Sequence, residues 1–121
     1  MGVSVRYIVA DVSEAIGFYR DHLDFQVDMD AAPGFASMSR GDLRLLLNAP
    51  GAGGAGRAGG DPKPGGWNRF QIVVADLGET VERLRSGGVT FRGELVKGNA
   101  GYQIIADDPS GNPIELFQPL D

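Results

Sequence analysis

Few side chains in this sequence are placed to do chemistry, and the most conspicuous is a carboxylate. Asp108-Pro109-Ser110-Gly111 fits a type I turn, with Pro fixing φ at the second position and Gly at the fourth. A strand should follow, with Pro113 able to begin it. Ile114 and Leu116 then alternate with Glu115 and Phe117, so one strand face carries a carboxylate where a hydrophobe is expected. Such a group can act as a general base or hold a cation. Other chemistry is harder to assemble. The chain has no Cys, hence no thiolate nucleophile, thiolate metal site or disulfide. Ser4 and Ser110 have no His nearby to activate them, because the single His, His22, falls at the end of a helix, where the dipole favours a surface cation. Trp67, the only Trp, precedes a strand and with Phe35, Tyr102 and Phe117 could supply stacking faces for a flat ligand. The run GAGGAGRAGG has G-x-G-x-x-G-like spacing, but it follows a Pro and no helical pattern succeeds it, so a dinucleotide loop is excluded.

Bulk properties narrow the partners. At 121 residues and 42% hydrophobic, the sequence suits about one domain with one modest core. A net charge of −5 with only 11 scattered Lys and Arg argues against a nucleic-acid surface. No apolar run approaches membrane-spanning length and no charged-then-apolar leader is visible, so the expectation is a cytoplasmic protein without membrane contact.

The elements that must position these residues come in two copies. SVRYIVADVSEAI from Ser4 and RFQIVVADLGETV from Arg69 align at a constant offset, matching Val9 with Val74, Asp11 with Asp76 and Glu14 with Glu79. Each copy predicts a strand, an Asp or Ser helix start, and a helix over 13–22 or 78–86. Gly87-Gly88 stops the second helix in the left-handed region, and Asp24 takes that place in the first. Three strands follow each helix: 25–30, 35–39 and 43–48, then 90–96, 102–107 and 114–118. The fold class is therefore α+β, two βαβββ modules whose curled mixed sheets surround a concave pocket. Module one spans 1–49, a Gly/Pro-rich connector 50–66 and module two 67–121, together one domain. A curled sheet covered by one helix leaves its other side bare, so modules pair within a chain or between chains.

This doubled unit, with FYRD-x-L-x-F at 18–25 and D-P-x-G-N-x-[IV]-E-L at 108–116, resembles the vicinal oxygen chelate superfamily of glyoxalase I, bleomycin-resistance proteins and extradiol dioxygenases. In that superfamily's enzymes two first-strand and two last-strand side chains, commonly His and Glu, hold a divalent metal. Carried over one by one, those positions are Ser4 and Arg69 on the first strands and Leu46 and Glu115 on the last. Only Glu115 is a metal donor, and a guanidinium cannot ligate. The residues at these positions thus argue against a metal, no other cofactor is expected, and Arg69 and Glu115 are expected as neighbours across the concave face. That pair is either a partly buried ion pair replacing a lost site or a recognition device.

If alternation holds, Ser4, Arg6 and Ile8, with Arg44, Leu46 and Asn48, share the concave face with Arg69, Gln71 and Val73. The candidate ligand-binding set is Ser4, Arg6, Leu46, Asn48, Trp67, Arg69, Gln71, Tyr102, Glu115 and Phe117. It suits an aromatic or anionic small organic ligand. The leading expectation is a metal-independent small-molecule binding protein, antibiotic sequestration included. The alternative is a lyase, isomerase or dioxygenase-like enzyme with a rebuilt site, Glu115 as base and Arg69 holding an oxyanion. A third is a module with a vestigial pocket. A homodimer is expected, since superfamily members with two units per chain usually pair.

Overall fold

The computed structural model describes residues 2–52 and 60–120; most of the Gly-rich run, 53–59, and with it the middle of the expected connector, lies outside the described residues. The chain divides into two compact units, Met1–Gly65 with Pro109–Asn112, and Gly66–Asp108 with Pro113–Asp121. Among the described residues no helix is long and apolar enough to cross a membrane.

In the first unit β1 (Val3–Ile8) leads into α1 (Val12–Leu23), followed by β2 (Gln26–Ala31), β3 (Phe35–Arg40) and β4 (Leu43–Asn48). The helix begins where Asp11 accepts a hydrogen bond from the Glu14 N–H at 3.0 Å, satisfying a first-turn donor. It ends at Asp24, which takes the left-handed region at φ 59° in place of a glycine. Sheet order is β1-β4-β3-β2, with β1 and β4 parallel and the other pairs antiparallel. Period two puts Tyr7, Ala36, Met38, Leu45 and Leu47 on one face, all buried, and the apolar stripe Val12, Ala15, Ile16, Tyr19 and Leu23 of α1 is buried with them. The turn 109–112 groups with this unit although the strand that follows it does not. Ala10 N–H donates to Ser110 Oγ at 2.8 Å. Asn112, only 3% exposed, donates through Nδ2 to the Ile8 carbonyl and accepts from Gly65 N–H, both at 2.8 Å.

The second unit repeats the plan with β5 (Phe70–Val73), α2 (Leu77–Ser86), β6 (Thr90–Phe91), β7 (Val96–Lys97), β8 (Gly101–Asp107) and β9 (Pro113–Pro119). Asp76 caps α2 on Glu79 N–H at 3.0 Å, and Gln118 Oε1 takes the Leu77 N–H at 2.7 Å. The left-handed residue after α2 is Gly88, φ 85°, while Gly87 stays at −85°. Order is β5-β9-β8-β6, with β7 also on β8 and β5 parallel to β9. Ile72, Ile104, Ala106, Ile114 and Leu116 are buried with Leu77, Val81 and Leu84 of α2. One expectation fails here: a single strand over 90–96. Thr90 pairs with Asp107 and Val96 with Gln103, so the outer strand takes six steps where β8 takes four; the two extra residues fall in a bulge after Arg92, whose N–H still donates to the Ile105 carbonyl at 2.9 Å. Gly101 begins β8 without a side chain because a Cβ there would lie 2.9 Å from Phe117 Cζ and from Pro119 Cα.

Two buried polar residues of the first unit should respond oppositely to alanine. Asn112→Ala strips partners from two backbone groups and should cost about 1–3 kcal/mol. Ser37 is 4% exposed and its Oγ has no hydrogen-bond partner among the described residues, so Ser37→Ala should leave stability unchanged or raise it. Thermal denaturation of both variants beside the parent checks this; a Ser37→Ala loss as large as that of Asn112→Ala would show that the hydroxyl is bonded.

Candidate functional site

Glu115 sits on β9, an interior strand between β5 and β8, and its face is set by its register partners. Gln71 lies opposite it on β5 and Ile105 opposite it on β8. Phe117 has Val73 and Gln103 as its partners, and Val96 extends that row. The alternate residues Ile72, Ile104 and Leu116 are those buried with α2, so the Glu115 row belongs to the face turned from the helix. There the carboxylate is held at both oxygens. Arg69 Nε donates to Oε1 at 3.1 Å with Nη2 at 3.0 Å from the same atom, and Gln71 Nε2 donates to Oε2 at 2.7 Å. The Glu115 side chain is 12% exposed, so this pair is shielded on the carboxylate side and reachable on the guanidinium side. Arg69 Nη1 also donates to the Trp67 carbonyl at 3.4 Å.

A second ion pair, absent from the sequence-derived set, completes the face. Arg92 Nε meets Asp107 Oδ1 at 2.6 Å, Nη1 donates to the Gly66 carbonyl at 2.7 Å, and the guanidinium lies 4.3 Å from the Trp67 ring centroid. Asp107 shares the period of Ile105 and Gln103, which is the signal that could have placed it. Arg92 continues the β6 register, its N–H donating to the Ile105 carbonyl at 2.9 Å, and that cross-strand placement has no local signature. Trp67, Arg92, Glu94, Val96, Gln103 and Ile105 line a groove of about 220 Å³ at the bulge. Tyr102 is not brought to this face. It lies opposite Gln118, whose side chain caps α2, lines a hollow with Leu77 and Leu95, and has Lys97 Nζ 5.9 Å from its ring.

Ser4, Arg6, Leu46 and Asn48 belong to the first unit, on the sheet face turned from α1. Arg6 pairs in register with Leu46, and its Nη1 donates to Asn48 Oδ1 at 2.6 Å. Asn48 is 1% exposed, while Ser4, one rung away beside Arg44, is exposed. Phe35, the partner of Asn48 on β3, shares this face. His22 is in the last turn of α1 with its ring 5.5 Å from Phe18. On that same helix the Asp21 carboxyl is held below its usual range by the hydrogen bond it accepts from Arg20.

The residues present do not fit the divalent metal that the superfamily resemblance implies for its enzymes. Of Ser4, Leu46, Arg69 and Glu115, only the last is a metal-ligating side chain, and Arg69 and Gln71 already occupy both its oxygens. Among the described residues no group of three or more His, Cys, Asp or Glu is close enough to hold a metal ion. Glu115 meets two donors, one of them charged: Arg69 at Oε1 and Gln71 at Oε2.

Solved structures share this fold along nearly its whole length. A member of the Glyoxalase/bleomycin resistance protein/dioxygenase superfamily from Sphaerobacter thermophilus DSM 20745 superposes with a TM-score of 0.78 at 24% identity, over 98% of this chain and 96% of that one. Lactoylglutathione lyase from Agrobacterium tumefaciens gives 0.78 at 18% identity, over 98% and 92%. TnmS3, an antibiotic binding protein from Streptomyces sp. CB03234, gives 0.74 at 24% identity, over 99% and 96%. No curated protein sequence matches. At these identities the likeness speaks to the fold alone, but the sequence model of one family, the Glyoxalase/Bleomycin resistance protein/Dioxygenase superfamily, matches residues 3–116, and to that superfamily the chain belongs.

Proposed function

We propose that this protein binds a small organic molecule on the α2-averted sheet face of its second unit, without a metal, and acts by holding the ligand rather than transforming it. The observation that carries this reading is the state of Glu115: both oxygens accept hydrogen bonds, from Arg69 and Gln71, so the position that would ligate a metal or take a proton is already engaged. What the face offers instead is a polar ion pair flanked by Val73, Phe117 and Ile105 and by the exposed indole of Trp67. The fold itself carries both kinds of use, since one similar structure is described as an antibiotic binding protein and another as a lyase. Sequestration, of an antibiotic or another flat natural product, agrees with the side chains present here. We place this activity in a cytoplasmic homodimer, in which a second copy covers exposed sheet edges such as β5, where Val73 is 57% exposed.

Three measurements test the reading. Elemental analysis after dialysis should find well under one equivalent of Zn, Ni, Mn or Fe per chain; a stoichiometric metal lost in Glu115→Gln would overturn it. Light scattering at tens of micromolar should give twice the chain mass, and a monomer would remove the homodimer from the proposal. The third concerns the pair itself. Arg69→Ala leaves a mostly buried carboxylate with Gln71 alone and should cost about 1–3 kcal/mol of stability, whereas Arg69→Leu with Glu115→Gln should recover it. Ligands from a screen of flat antibiotics and aromatic acids, read by Trp67 fluorescence and melting temperature, should bind the double variant at least ten-fold more weakly than the parent. Equal affinity would make the pair purely structural.

A further inference from the structure

The bulge between Arg92 and Val96 opens the groove beside the Glu115 row, and its lining defines the ligand more narrowly than the fold does. Trp67 is 66% exposed although Arg92 covers one face of its ring at 4.3 Å, so the other face is open. Arg92 is anchored by Asp107 and the Gly66 carbonyl, which holds the guanidinium in its stacked position. The same groove is lined by Val96 and Ile105, both apolar, and by Gln103, whose half-buried side-chain amide has no hydrogen bond among the described residues. The charges nearby are matched: Arg92 with Asp107 at 2.6 Å, Arg69 with Glu115 at 3.0 Å, and Glu94 with Arg85 at 3.6 Å. Among the described residues the groove's lining cation, Arg92, already has its carboxylate, so an entering anion would lose hydration without recovering it. At about 220 Å³ the groove is smaller than a typical drug-sized pocket of roughly 300–1,000 Å³, so it accepts one ring system while the rest of a ligand extends toward the Glu115 row.

We propose that this groove is a subsite for an uncharged planar aromatic group bearing an amide or carbonyl, stacked on the open face of Trp67 and hydrogen-bonded to Gln103. The assignment rests on the small-molecule reading above and adds the chemical class of the ligand. Stacking on an indole whose far face carries a fixed guanidinium supplies contact area at little entropic cost, because neither partner has to be ordered on binding. The Gln103 amide, able to donate and to accept, selects ring systems with a polar edge.

Three probes separate the terms: 2-naphthamide, its anionic counterpart 2-naphthoate, and the non-planar cyclohexanecarboxamide. The one indole N–H signal of ¹⁵N-labelled protein reports on Trp67 directly. Saturable shifting of that signal by 2-naphthamide, with the other two probes at least ten-fold weaker, is the expected result. By calorimetry Trp67→Leu should abolish 2-naphthamide binding and Gln103→Leu weaken it about ten-fold, with melting temperatures close to the parent. The proposal is overturned by an unresponsive indole, by 2-naphthoate or the saturated amide binding as well as 2-naphthamide, or by undiminished binding in both variants. Arg69→Leu with Glu115→Gln distinguishes the two readings: 2-naphthamide, which fills only the groove, should bind that variant as it binds the parent, whereas a larger screened ligand that reaches the Glu115 row should bind it more weakly; loss of 2-naphthamide there with retention in Trp67→Leu would overturn the groove and leave the ion pair.

Discussion

A carboxylate on the middle strand of a four-rung sheet face has to be neutralised, and the second unit is organised by that requirement. Glu115 is nearly enclosed, and leaving it unpaired would cost several kcal/mol. Arg69 and Gln71 meet the need from the same direction, two residues apart on one side of β9, so that period two alone points both at it. Their engagement then decides what the face can do. A guanidinium fixed by a carboxylate is a donor surface with no net charge, and each oxygen of that carboxylate already accepts a hydrogen bond.

The same logic recurs a rung away, and there the aromatic ring is part of it. Arg92 is restrained by Asp107 and by a backbone carbonyl before it meets Trp67, so the ring rests on a cation that is already neutralised. The first unit solves its equivalent position differently. Leu46 occupies the place of Glu115, Arg6 turns instead to the buried amide of Asn48, and the repeat is symmetric in backbone but not in chemistry.

Much of this was legible in the chain because the governing interactions are local. Helix starts at Asp11 and Asp76 are read from one side chain and the amide three residues on; the left-handed stop at Asp24 follows from a short polar residue where a glycine is wanted. Alternation assigned Arg69, Gln71, Glu115 and Phe117 to one face. It failed where the ladder itself is irregular. The bulge between Arg92 and Val96 is a property of two strands together, so nothing local marks where a strand over 90–96 breaks. Tyr102 was grouped with Phe117 by ring type, while its period carries it to the helix side. Ser37, a small polar residue in a buried row, gives no sign in sequence that its hydroxyl lacks a partner among the described residues.

The turn at 109–112 gives the repeat an order of assembly. Two halves joined head to tail could in principle each mature as soon as they leave the ribosome. Here the Ile8 carbonyl and the Gly65 amide receive their partner only when Asn112 has been made, after β8 and before β9. The amino-terminal unit is thus the first to be synthesised and cannot be the first to be finished, and a nascent chain halted at residue 108 would expose those backbone groups to solvent. The two copies of the repeat are thus divided differently in sequence and in structure.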